Sequence, residues 1–227
     1  MGGGRSDWRK ELGRFLKPFL DRLGHKARRQ MCPVYVSGLV GPGDRKSIQP
    51  MAERLAPGDY DQLHHFIATG VWDAAPLERE LLVQADRLVG GSDAVLVIDD
   101  TAIAKKGAHS VGVAAQYASA LGKTANCQTL VSLTLARGEV PVMLTLRLFL
   151  PESWTSDAVR LSRAGVPVEY QMPRSKPEIA WPRSIARWQR ACASVVCLRM
   201  QDTVSVRRFD KGLRHAGWPG RSASLVT

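Results

Sequence analysis

Apolar and polar positions follow two different rhythms along this chain, and the change falls at Gly90-Gly91-Ser92. Before it, apolar residues recur at three- and four-residue steps, the spacing of one helix face. Trp8, Leu12, Phe15, Leu16, Phe19, Leu20 and Leu23 form such a stripe over residues 7–30, with Arg9, Lys10, Arg14, Lys17 and Arg22 on the remaining surface. Pro18 should kink or split that helix, because it lacks an amide hydrogen and crowds the preceding turn. Met31 to Val40 is a second apolar segment, closed by Gly41-Pro42-Gly43. Asp44 or Ser47 can cap a helix through Leu55. Pro57-Gly58 breaks it, and Asp59 opens a stripe of Tyr60, Leu63, Phe66 and Ile67. Adjacent helical residues diverge, so His64 and His65 do not form a joint metal site. Asp73 caps a last helix from about Ala75 to Leu88, with Pro76 in its first turn. Residues 1–90 thus read as a helical module.

After the hinge the pattern becomes that of strands. Val95 to Ile98 is an unbroken apolar run followed at once by Asp99 and Asp100. It reads as a strand buried on both faces, ending where the sheet meets solvent. The two carboxylates must face opposite ways, because strand side chains alternate. A carboxylate fixed there can hold a hard cation such as Mg²⁺. It can equally cap the next turn, which is the commoner use of Asp. Residues 127–136 and 139–150 read as two further strands hinged at Gly138. Between them and the first strand lies a Gly/Ala/Ser-rich stretch, His109 to Gly122, where Tyr117 is expected to pack. Residues 151–177 read as irregular, with Glu152 and Glu169 as surface charges, and Lys176-Pro177-Glu178 starts a helix. The fold class is α+β or α/β: a helical module, then the start of a sheet domain.

Charge adds a partner class. The 227 residues carry a formal +11, unevenly spread: +6 over residues 1–30, +7 over 181–227 and −2 between them. Such a basic excess suits a polyanion, most often nucleic acid. A basic helix over residues 7–30, with Arg28 and Arg29 at its end, can lie against DNA phosphates. No apolar run approaches the roughly 20 residues of a membrane span. Cys32, Cys127, Cys192 and Cys197 show no zinc spacing, and no apolar secretory segment opens the chain. A reduced, cytoplasmic, nucleoid-associated protein is expected.

Several ordered motifs carry a resemblance. Ile98-Asp-Asp-Thr101, Lys105-Lys-Gly107, His109-Ser-Val-Gly-Val113, Gln116-Tyr117, Asn126-Cys-Gln128, Leu148-Phe-Leu-Pro-Glu-Ser-Trp154, Ala164-Gly-Val-Pro167 and Lys176-Pro-Glu178 look like the core of insertion-sequence transposases. The chain resembles their DDE-superfamily endonuclease branch of the IS seven-oh-one type, related to the IS-four group, over roughly residues 8–180. The resemblance implies an RNase H-like domain in which Asp, Asp and Glu bind two Mg²⁺ ions for DNA cleavage and strand transfer. It assigns the first acid to Asp100, before Thr101, with Asp99 as the alternate. Lys105 and Lys106 are candidate phosphate contacts, an exposed basic loop being nearly as good a reading. The implied partner is transposon-end DNA, and a full-length transposase is a further candidate partner.

After Ala180 the resemblance stops. The family would continue into a helix and a strand ending Ala-Asp-Ala-Gly-Tyr-Gly, which holds the second acid. Instead the chain turns Arg- and Trp-rich from Trp181. Trp181-Pro-Arg-Ser-Ile185 can be encoded by bases that, read one base earlier, give Leu-Ala-Glu-Ile-Asp. Likewise Cys197 to Thr203 can give Val-Leu-Ala-Asp-Ala-Gly-Tyr, the Asp codon straddling those of Arg199 and Met200. The expectation is therefore a truncated, frameshifted transposase: residues 1–90 helical and DNA-binding, 91–180 the incomplete RNase H-like domain, 181–227 an out-of-frame, disordered tail. The +7 of that tail would then be an artefact of frame. Asp202 and Asp210 do not replace the missing acids. The rival readings are a non-enzymatic DNA-binding regulator of transposition and a pseudogene product.

Overall fold

A computed structural model describes residues 8–69, 73–180, 185 and 197–200. Two compact units divide between Leu81 and Leu82. Each is built around its own core.

The first unit is helical. Its elements are α1 (Trp8–Leu20), α2 (Lys26–Val40), α3 (Ile48–Leu55) and α4 (Tyr60–His64), which widens into a π-turn over His65–Thr69. The single helix expected over residues 7–30 is two. The break falls after Leu20 rather than at Pro18, which α1 accommodates in its last turn. Met31 to Val40 is accordingly the continuation of α2, not a separate segment. Met31, Met51, Ala52, Leu63 and Phe66 form the core. Gly38 sits where α2 meets α3: a Cβ there would press into the buried Met51 side chain and force it to shift, so glycine suits the close approach. Ser47 and Asp59 hold the N-cap positions of α3 and α4, though neither side chain makes the capping hydrogen bond. Lys17 pairs with Asp21 and Arg22 with the buried Glu80, while Arg9 and Arg14 stay exposed.

The second unit is a mixed sheet with helices packed on it. Helix α5 (Ala75–Val89), opened by the Asp73 carboxylate accepting from the Ala75 amide, starts in the first unit. Its last turns, through Leu82, Ala85 and Val89, belong to the sheet core. That is why the units part inside α5 and not at the Gly90-Gly91 hinge. The strands are β1 (Val95–Ala104), β2 (Ala114–Ala118), β3 (Lys123–Arg137), β4 (Val140–Leu148) and β5 (Cys197–Met200). The order is β2-β3-β1-β5, with β4 also on β3. All pairings are antiparallel except β1 with β5, which is parallel, Val95 opposite Cys197 and Ile98 opposite Met200. Gly138 turns β3 into β4 at a φ of +57°, a left-handed conformation that suits glycine.

Several sequence expectations change here. Strand β1 does not end at the carboxylates but runs on to Ala104, because β3 continues to pair with it beyond the apolar core. It is buried on one face only: Leu96 and Ile98 are enclosed, Val95 and Val97 half-buried. The stretch from His109 to Gly122 contains β2, and Tyr117 on it is 67% exposed rather than packed. The segment read as irregular holds α6 (Glu152–Thr155) and α7 (Ala158–Arg163), seated on buried Trp154 and Leu161. Glu152 and Glu169 are exposed, as surface charges are. Helix α8 (Lys176–Ala180) starts at the predicted Lys176. Of residues 181–227, expected as a disordered tail, Ile185 is enclosed in the sheet core and 197–200 are β5. The rest of that stretch lies outside the described residues.

Candidate active site

Strand β1 presents Asp99 and Asp100 at its centre, paired with Ser132 and Val131 of β3. Alternation sets them on opposite faces. Asp100 shares the face of Leu96 and Ile98, toward the core-covering helices; Asp99 shares that of Val97. The Asp99 carboxylate accepts from the Asp100 amide at 2.7 Å, and the Ser132 hydroxyl donates to the Asp99 carbonyl. Asp100 is 24% exposed, and its carboxylate forms an ion pair with the Lys176 ammonium.

Lys176 is the site residue that sequence reasoning missed. It stands at the first position of α8, where a cation opposes the helix dipole. That misfit was the available signal. The turn forms nonetheless because Glu178 caps it: its carboxylate accepts from both the Ser175 amide and the Ser175 hydroxyl at 2.7 Å. Those bonds hold the Glu178 carboxyl below the usual carboxylate range. Ile179 and Ala180 pack into the core that also holds Ile98. The Lys176 ammonium also lies 5.7 Å from the centre of the Phe149 ring.

Polar residues of the quoted motifs brace one loop, residues 105–113, and the strands beside it. The Asn126 amide donates to the carbonyls of Lys105 and Gly107, at 2.8 and 3.0 Å. Gln128 donates to the Val111 carbonyl, Gln116 to that of Cys127, and the Trp154 indole to that of Val113. Gly112 has a φ of +76°, and a Cβ on it would meet the Phe149 carbonyl at 2.9 Å. Arg160 stacks on Trp154 at 3.8 Å and donates to the Ala108 carbonyl. Lys105, half-buried, and Lys106, exposed, sit at the start of this loop. They follow Asp100 by five and six residues, roughly 16–20 Å of extended strand, so they are not beside its carboxylate.

Arg28 and Arg29 belong to the helical unit, in the first turn of α2. Arg28 is half-buried and engaged. Arg29 is exposed and donates to the Leu23 carbonyl at 3.0 Å, satisfying the chain after α1.

Among the described residues, no group of three or more His, Cys, Asp or Glu is placed to hold a metal ion. Asp99 and Asp100 diverge, and Asp100 already has a cation. The described side chains therefore do not fit a two-metal centre. No described helix is long and apolar enough to cross a membrane.

Fold and site define a class: a mixed α+β chain with a helical unit ahead of a largely antiparallel sheet, and a carboxylate pair at the centre of a strand flanked by a parallel neighbour. The chain belongs to the DDE superfamily endonucleases, whose family model matches residues 18–211. It is also 33% identical over 89 residues to a probable transposase for insertion sequence element IS701 from Microchaete diplosiphon. That match covers 39% of this chain and 23% of the relative. No solved structure matches. The family match runs past Ala180 and takes in β5, so the likeness does not stop where the sequence reading ended it.

Proposed function

We propose that this chain carries the first part of the RNase H-like catalytic domain of an insertion-sequence transposase, acting on transposon-end DNA, with Asp100 as the first acid and Asp99 as the alternate. The supporting observation is the parallel pairing of β5 with β1. An antiparallel β1-β3-β4 meander with a strand returning parallel beside β1 agrees with an RNase H-like plan. The register sets Arg199 and Met200 across from Val97 and Ile98, immediately before the Asp pair. A reading one base earlier, with a permitted choice of synonymous codons, can place an Asp at the junction of those same two codons. Two acids from neighbouring strands would then converge, which two-metal chemistry requires.

As translated, the chain is a catalytically incomplete fragment. The family reaction draws on Mg²⁺ held by acids from separate strands, and the described residues supply a carboxylate pair from one. Arg28, Arg29, Lys105 and Lys106 contact DNA phosphates, and a full-length transposase is the protein partner. The engagement of Asp100 by Lys176 favours a second reading, a DNA-binding regulator without catalysis.

The gene's nucleotides across codons 180–203 test the frame. Read one base earlier, they should give an Ala-Asp-Ala-Gly-Tyr-like stretch whose Asp straddles codons 199 and 200, with a further acid downstream. Absence of both removes the frameshift, and with it the fragment reading.

A further inference from the structure

We propose that Lys176 is the resident counter-ion of Asp100, so that a divalent cation reaches that carboxylate only by displacing the ammonium. The inference rests on the reading of Asp100 as a metal-binding acid. It starts from the ion pair itself: the acid that should meet a metal meets a lysine.

The arrangement is built, not incidental. Helix α8 is fixed at both ends. Ser175 and Glu178 close its first turn through two 2.7 Å hydrogen bonds, and Ile179 and Ala180 are held in the core beside Ile98. Helix α8 lies against β3 and β4, and from its first turn the Lys176 ammonium reaches across to the Asp100 carboxylate of β1 while lying over the Phe149 ring. The capping carboxylate of Glu178 is committed to Ser175, which leaves Asp100 as the acid that Lys176 meets. An ammonium is a compact unit charge with three donors, and it neutralises a carboxylate without supplying any ligand atom. Mg²⁺ or Mn²⁺ at Asp100 would face that charge a few ångströms away. Lys176 is 41% exposed, so its four-carbon stem has room to swing aside. The ammonium therefore balances the charge of a lone Asp100 carboxylate in the absence of metal and selects against a divalent ion until further carboxylates make the exchange favourable.

Mn²⁺ binding to the full chain, read by electron paramagnetic resonance, tests this without any reaction. Lys176→Met and Lys176→Gln remove the charge, the first keeping length and the contact with Phe149. Lys176→Arg keeps the charge. Both neutral variants should bind Mn²⁺ at least about fivefold tighter than the wild type, the order expected from removing one unit charge near the ion under near-aqueous screening. Lys176→Arg should stay at the wild-type level, and adding Asp100→Asn to Lys176→Met should abolish the gain. Melting curves run alongside. If Lys176 only ties α8 to β1, the neutral variants lose stability with no change in Mn²⁺ affinity, or both fail to fold, and the proposal is wrong. Unchanged affinity in folded neutral variants, with Asp100→Asn weakening Mn²⁺ in the wild type, sinks the counter-ion role and keeps Asp100 as a metal ligand. A gain that survives Asp100→Asn sinks both.

Discussion

Lys176 and Asp100 stand 76 positions apart in sequence and meet as an ion pair between α8 and β1. Both are part-exposed, so water screens the pair and its contribution to stability is small, about 0.2–1 kcal/mol. Asp100→Ala should therefore lower the urea-denaturation free energy by about 1 kcal/mol or less. A loss several times larger would mean that Asp100 is a structural residue.

The loop over residues 105–113 should be more sensitive. Trp154 is 1% exposed, and its indole donates to the Val113 carbonyl at 2.8 Å. Trp154→Phe keeps most of the volume but orphans that carbonyl, costing about 1–3 kcal/mol. Trp154→Ala adds a cavity and should cost about 3–5 kcal/mol. Asn126→Ala frees the Lys105 and Gly107 carbonyls, and amide exchange over residues 105–107 should speed up. Unchanged exchange there would remove the bracing role.

How much of this was legible in the sequence follows from how local each signal is. The helical stripes around Leu63 and Phe66, the hairpin at Gly138 and the start of α8 at Lys176 are set by neighbours a few residues away, and they read correctly. The end of β1 did not, because it is decided by how far β3 pairs with it from some thirty residues on. The roles of Asn126, Gln128 and Trp154 were hidden for the same reason: each brace spans 17 positions or more. The Asp100–Lys176 pair lies further still along the chain. Only the cation at a helix start hinted at it.

Acid should destabilise the second unit by a route that can be assigned. Arg137 hydrogen-bonds the Asp93 carboxylate and holds its titration below the usual range, as Ser175 does for Glu178. A carboxyl depressed in the folded state stabilises above its unfolded value and ceases to do so as pH falls through the folded value. Melting temperature should therefore decline as pH falls from about 5 toward 2, and the slope should flatten in the Asp93→Asn, Glu178→Gln double variant. An identical slope in that variant would assign the acid sensitivity to other groups.

DNA binding by the whole chain should depend steeply on salt, because phosphate contacts release counter-ions. Changing Arg28 and Arg29 to Ala should weaken binding for all sequences alike and reduce the salt slope. Arg29 also satisfies the Leu23 carbonyl, so that variant should melt slightly lower. Affinity indifferent to salt would contradict a phosphate-contacting role for the helical unit.

The central claim is that Asp100 is the first acid of a transposase site whose second acid lies in the shifted frame. Cleavage of transposon-end DNA by the frame-restored protein tests it most directly. The account predicts Mg²⁺-dependent cleavage by that protein and none by the 227-residue chain. It further predicts that Asp100→Ala in the restored protein abolishes cleavage and leaves DNA binding intact. Metal-dependent cleavage by the 227-residue chain that Asp100→Ala removes, or cleavage by the restored protein that survives Asp100→Ala, would contradict it.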